Sequence, residues 1–207
     1  SEAIAALSSE QLRALNPAQI QAIEVGDLPA LTGANLATLR TAQIAALTTT
    51  QLDALNTAQL TALGTDQIAA LTTAQLGNLS PDDLSKLSTA AFAALSTAQA
   101  AAIKADQMVA METADLAALG TAQIRALNTQ AIAAMNGDHV AALASDQVKA
   151  LSTAQIRALE VDDLHSLSSA NLAQLSTSQL LALSTAQLDA FSPSQLAGLT
   201  SNQLAAL

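Results

Sequence analysis

Ser184-Thr185-Ala186-Gln187-Leu188-Asp189-Ala190-Phe191 is the unit from which the rest of the 207-residue chain is written. With these eight positions labelled a to h, an apolar residue stands at e and at h in almost every octad. The e series runs from Ile4 through Leu12 and Ile20 to Leu204, and the h series from Leu7 to Leu207, without insertion or deletion. Ala100 is the one small residue in either series. Self-similarity at a fixed period marks an array and is read before any other signal.

A single long helix does not suit this period. Eight residues at about 100° each overshoot two turns by roughly 80°, so the apolar stripe would spiral round the rod. A strand fails as well, because a three-residue step from e to h puts the two apolar residues on opposite faces. The composition of Ala, Leu and Gln also lacks β-branched and aromatic enrichment.

A very short helix in each octad accounts for every position. Position a is Ser, Thr, Asn or Gly in 19 of 25 octads, the residues preferred at an N-cap. Position d is Gln in 16 of 26 and Asp or Asn in six more, so a and d together write the capping box. Pro17, Pro81 and Pro193 all fall at b, the first helical position, where proline is tolerated best. Positions h and e then form a hydrophobic staple, with Leu183 expected against Leu188.

Such helices of about six residues are far below the ~12 to 15 needed for stability alone, so each octad must be held by others. The expected fold is an all-α solenoid of about 26 octads, one continuous unit over residues 1–207, packed along a leucine seam that buries e and h. Alanine at g, in 20 of 26 octads, marks a point of close approach between successive units, with Lys86 and Gln174 expected where the packing is locally open. Positions c and f vary and should face solvent, where Glu10 with Arg13 and Asp146 with Lys149 have the spacing of helical ion pairs.

Two places depart from the pattern. Pro29 lies at f, inside its helix, and is expected to distort that unit. Residues 80–111 hold the weakest core, with Phe92, Ala100, Met108 and Met111 in place of leucine, read as volume compensation and soft filling. Residues 145–180 also repeat residues 9–44 more closely than the octad requires. Glu160-Val161-Asp162-Asp163-Leu164 echoes Glu24-Val25-Gly26-Asp27-Leu28, as expected of a duplicated block.

The net charge of −10 disfavours nucleic acid and anionic membranes, and seven basic residues are too few to follow phosphates. No apolar run approaches a membrane span, so no membrane insertion is expected. The absence of Cys removes disulfides and thiolate metal sites. No signal peptide is visible, and with no polar terminal unit the chain is expected to be a segment of a longer array.

For catalysis there are two histidines, His139 and His165, and no Tyr. A Ser-His-Asp set can be assembled on paper from Asp138, His139 and a nearby serine, but position d makes His139 a substituted cap partner and position f makes His165 an exposed side chain. The acidic pairs Asp82-Asp83 and Asp162-Asp163 suit the first turn of a helix and match no calcium loop. The expectation is a non-enzymatic chain with no catalytic, cofactor or metal residues.

Runs such as Leu39-Arg40-Thr41-Ala42-Gln43-Ile44-Ala45-Ala46-Leu47-Thr48-Thr49 resemble the Leu-Ser-Thr-Ala-Gln octapeptide arrays of very large, repetitive bacterial proteins described as adhesin-like, and the resemblance covers the whole chain. It implies a scaffold or spacer in a surface or secreted protein, extracellular or at the cell surface, with a cytoplasmic location as the alternative. Phe191-Ser192-Pro193-Ser194-Gln195-Leu196 is also similar to a helix opening in TAL-effector repeats, whose unit is longer and basic, so that likeness reports a shared way of capping. Two other readings stand beside the spacer: a protein- or peptide-binding surface made by c and f, and an ice-binding surface of Ser and Thr at a and b. Partners are then other proteins, or the chain itself through end-to-end stacking.

Overall fold

The computed structural model describes residues 2–207, with side chains from Ile4 onward. Among the described residues there are 24 short α-helices and two 3₁₀ helices, one per octad, and no strand. The helix Thr185–Asp189 is representative. Ser184 sits before it in extended backbone (φ −73°, ψ 163°) and accepts from the Gln187 amide, while the Gln187 side chain accepts from the Ser184 amide. Residue h is extended too, as at Leu47 (φ −56°, ψ 138°) and Leu151, so h and a together form the link that turns the chain between helices. Pro17, Pro81 and Pro193 each open a helix, as their place at b requires.

The helices do not pack mainly on their neighbours in sequence. Pro81–Ser85 packs on Ala105–Ala110, Thr89–Ala94 on Thr113–Ala118, and Thr129–Ala133 on Thr153–Ala158, three octads on in every case. The hydrogen bonds reach one octad further. The Gln155 Nε2 amide donates to the carbonyls of Ile124 and Leu127, both at 2.8 Å, four octads back. One superhelical turn therefore takes between three and four octads, and the interface that stabilises the array runs between turns.

This revises two expectations. The close approach at g is made across the turn, not to the next unit: a Cβ on Gly33, at b, would lie 2.8 Å from the Ala62 Cβ, at g, and one on Gly137 would lie 2.6 Å from the Ser166 Oγ. The buried part of each octad is also larger than e and h. Positions e and h form one continuous cluster, and the glutamine at d is buried with them, Gln43, Gln51 and Gln59 each being 1% exposed. Position c is exposed in every octad from Glu10 to Asn202, and f in most. Within the weak stretch Phe92, Ala100 and Met108 are all fully buried. Lys86 is exposed, as its place at g suggested, and Gln174 is half-buried.

The unit containing Pro29 is indeed distorted, to a 3₁₀ helix over Val25–Ala30. The other 3₁₀ helix, Val161–Ser166, has no proline. Both have Glu at a without a side-chain cap and Asp at d, but so does the α-helix Thr113–Ala118, with Glu112 and Asp115; what sets the two apart is Val at b, Val25 and Val161. The geometry thus follows the duplicated Glu-Val-x-Asp block, and proline alone does not explain it. Among the described residues Lys149 pairs with Asp146 at 4.0 Å and Lys86 with Asp82 at 3.5 Å, while Glu10 and Arg13 do not form an ion pair.

Candidate functional site

The most elaborate chemistry in the molecule is a ladder of side-chain amides. At d, the glutamine Oε1 accepts from the amide of residue a in its own octad, and its Nε2 donates to the carbonyls of e and h one turn earlier. Gln59 does this to Leu28 (2.8 Å) and Leu31 (2.6 Å), Gln107 to Leu76 and Leu79, and Gln179 to Val148 and Leu151. The h residue has no helical donor for its carbonyl, and buried carbonyls are rarely left unpaired. A neutral side chain with an acceptor and two donors at one tip suits this position. Serine and threonine hydroxyls at a, such as Ser152 and Thr72, are engaged as caps.

The exceptions show the same requirement met in other ways. His139 replaces glutamine at d, is 2% exposed, takes the Asn136 amide at Nδ1 and lies 2.8 Å from the Met111 carbonyl at Nε2. Both ring nitrogens are committed to the backbone, so His139 is no general base and the Asp138-His139 set does not assemble. At Ala131, where d has no amide, Asn128 at a turns its Nδ2 to the carbonyls of Ala101 (3.1 Å) and Ile103 (2.6 Å). His165 is exposed at f, and its element, Val161–Ser166, is the 3₁₀ helix.

Asp115 is the ladder's weak point. It is 3% exposed, and an ionised carboxylate, unlike the glutamine found at d elsewhere, has no proton to donate to the preceding turn. Burial raises its pKa above the usual carboxylate range; a Thr89 side-chain hydrogen bond opposes the rise and the charge of Glu112 adds to it. A carboxyl with a raised folded pKa favours the fold least when ionised. Its contribution therefore falls as pH climbs from the ordinary carboxylate range through the raised value, and is best on the acid side. Asp115→Gln is expected to raise stability near neutral pH by about 1–3 kcal/mol and to flatten this slope, as measured by urea melts at acid and neutral pH.

Of the acidic pairs, Asp82 pairs with Lys86 and Asp83 accepts from the Ser80 hydroxyl, and no group of three or more metal-ligating side chains occurs among the described residues. No helix among them is long and apolar enough to cross a membrane. On the outer surface the charged residues are mostly acidic, but two basic ones come together. Arg125 and Lys149, both at f and three octads apart, line two adjoining open clefts of about 520 and 360 Å³, the first shared with Thr121 and Asp146, the second with Ser152 and Gln174. Of these two cations only Lys149 has an ion-pair partner among the described residues.

Sequence reasoning assigned d to local capping and missed its second bond. The available signal was the preference for Gln over the Glu that a capping box equally allows: a carboxylate caps as well but cannot donate across the turn. The family profile described as the ALTTAQ repeat matches residues 20–56, 49–81, 77–111, 108–145, 140–177 and 156–192, which together run without a gap from 20 to 192. No curated protein matches the chain.

Proposed function

The chain belongs to the ALTTAQ repeat family, and from that premise we propose that it is a non-enzymatic spacer, a superhelical rod that sets distance within a large bacterial surface or secreted protein. One observation carries this reading: each octad spends its polar and apolar side chains on the array itself. Hydroxyls or amides at a cap helices, glutamines at d bond the preceding turn, and e and h fill the core, leaving only the variable positions c and f, where alanine is the commonest residue, to face solvent. Likeness to the octapeptide arrays of adhesin-like proteins supports an extracellular setting and a role in adhesion.

Removing whole octads tests it. A spacer whose interface runs from turn to turn shortens in proportion to the residues deleted and keeps its helicity per residue. Small-angle scattering and circular dichroism on the chain and on a variant lacking residues 56–111, seven octads, should show a rod shortened by about a quarter with little change in melting. A compact particle, or loss of structure on deletion, would overturn the reading.

A second reading has a specific observation behind it. Arg125 and Lys149 place two of the seven basic residues of an acidic chain in adjoining clefts on the variable surface. That geometry suits the carboxylates of an acidic peptide segment of another protein. Binding of a polyglutamate peptide that is lost in Arg125→Ala with Lys149→Ala, and weakened by salt, would favour recognition over simple spacing.

A further inference from the structure

We propose that the rod carries a built-in joint between residues 49–63 and residues 78–95, a hinge at which it bends while the turns on either side stay stiff. This rests on the spacer reading and says where the spacer flexes. Two features hold each turn to the one before, the glutamine amide at d and the close approach of alanine at g. Both are lost here in neighbouring octads, where Asp83 and Ala91 stand at d and Asn78 and Lys86 at g.

Asp83 is taken up within its own octad, where it accepts from the Ser80 hydroxyl at 2.7 Å. Ala91 has no polar side chain, and Ser88 at a only caps the Ala91 amide, whereas Asn128 beside Ala131 reaches two carbonyls of the preceding turn. Among the described residues the carbonyls of Leu55 and Leu63, 28 residues before Asp83 and Ala91, therefore receive no side-chain amide, while those of Leu47, Leu71 and Leu79 receive Gln75, Gln99 and Gln107. Bending at those flanking rungs parts an amide from its carbonyl and leaves both unpaired; here there is no such bond to break.

The approach across the turn is relaxed at the same place. It joins residues 29 apart, as Gly33 with Ala62 and Gly137 with Ser166, and in the second pair a glycine at b leaves room for the serine at g. The same spacing sets Asn78 and Lys86 against Thr49 and Thr57, a large residue at g against a branched one at b. An open cleft of about 250 Å³ lies between Asn78 and Thr49, Thr50 and Asp53, and the Lys86 side chain is exposed, turned to Asp82 at 3.5 Å. Thr57–Thr61 is packed less closely against Pro81–Ser85 than the helix pairs on either side are, while Thr65–Ala69 stays packed on Thr89–Ala94, with Phe92 fully buried. Two turns joined along one side and parted along the other form a hinge.

The test measures distance distributions by double electron–electron resonance between nitroxides at exposed c positions of the 207-residue chain, which has no cysteine of its own. Ala42→Cys with Ala114→Cys spans the joint, and Ala114→Cys with Ala186→Cys spans the same number of residues beyond it. The distribution across the first pair is expected to be at least about twice as wide as that across the second. The first pair is then measured on a chain carrying Asn78→Ala, Asp83→Gln, Lys86→Ala and Ala91→Gln, which restore the residues most octads have. Its distribution should narrow toward that of the second pair, with helicity by circular dichroism unchanged. Equal widths for the two pairs in the parent chain would overturn the proposal whether or not the restored chain folds, and so would a restored chain of full helicity whose distribution stays wide. Octad deletion tests the spacer reading separately: a chain that scatters as a rod and shortens in proportion, yet gives equal widths, has no joint and is still a spacer.

Discussion

Replacing Leu119 and Leu127 together by Asn will melt part of the array, and the damage will appear in two separate stretches of sequence. Both leucines are at h and nearly inaccessible, 2% and 3% exposed. Each change removes a buried apolar side chain, costing about 2–5 kcal/mol, and places an amide where nothing is arranged to meet it. The carbonyls of these two residues also receive Gln147 and Gln155 from the next turn. Hydrogen exchange should therefore accelerate around residues 112–127 and again around 136–159, the octads that pack on and bond to them from the next turn, while distant octads keep most of their protection. Loss confined to the immediate sequence neighbours would mean that turns do not hold one another. Unchanged helicity and melting would remove the octad assignment altogether.

Gln155→Glu will destabilise the chain more than Gln155→Ala, although it is the nearly isosteric change. Gln155 is 2% exposed, accepts from the Ser152 amide at 2.8 Å and donates to two carbonyls at 2.8 Å. Alanine leaves those groups unpaired, a loss of about 1–3 kcal/mol. Glutamate keeps the acceptor but holds an unpaired charge against two carbonyl oxygens, a situation that costs about 3–5 kcal/mol for a broken buried pair. Protonation relieves this, since a neutral carboxyl donates once, so the folded pKa of the new group lies above its unfolded value. The penalty is then full above the folded pKa and fades as pH falls through it. Chemical melts of both variants at neutral and acid pH check the order and the crossover: Glu below Ala at neutral pH, and Glu recovering toward the parent in acid. A pH-independent Glu variant would show that the amide does not face carbonyls.

Asp115 is the natural counterpart of this experiment, a carboxyl at the same position whose pKa is raised, chiefly by burial. His139 is the opposite case, a different chemical group that supplies the same acceptor and reaches the same carbonyl. Neither role is visible from the residue alone. The sequence places His139 at a cap position correctly, but its second nitrogen matters only because Met111, 28 residues earlier, comes to lie beside it. The paper triad with Asp138 fails for that reason: adjacency in sequence says nothing about where the imidazole is spent.

The limits of each octad were legible because the forces that set them are local. Caps at a, proline at b and the extended link through h and a depend on φ, ψ and hydrogen bonds spanning three or four residues, and Ser184 with Gln187 carries that information whole. The apolar pair at e and h was equally plain, since burial is written in side-chain type. What only the tertiary structure decided was the partner. That an octad packs on the third one along and bonds the fourth, that alanine at g faces residue b of another turn, and that glutamine at d is core all depend on the superhelical pitch. The pitch is the sum of small rotations at every link, each within the ordinary spread of an extended residue. A carbonyl 28 or 31 residues away leaves no mark on the local pattern until those rotations have brought it into reach.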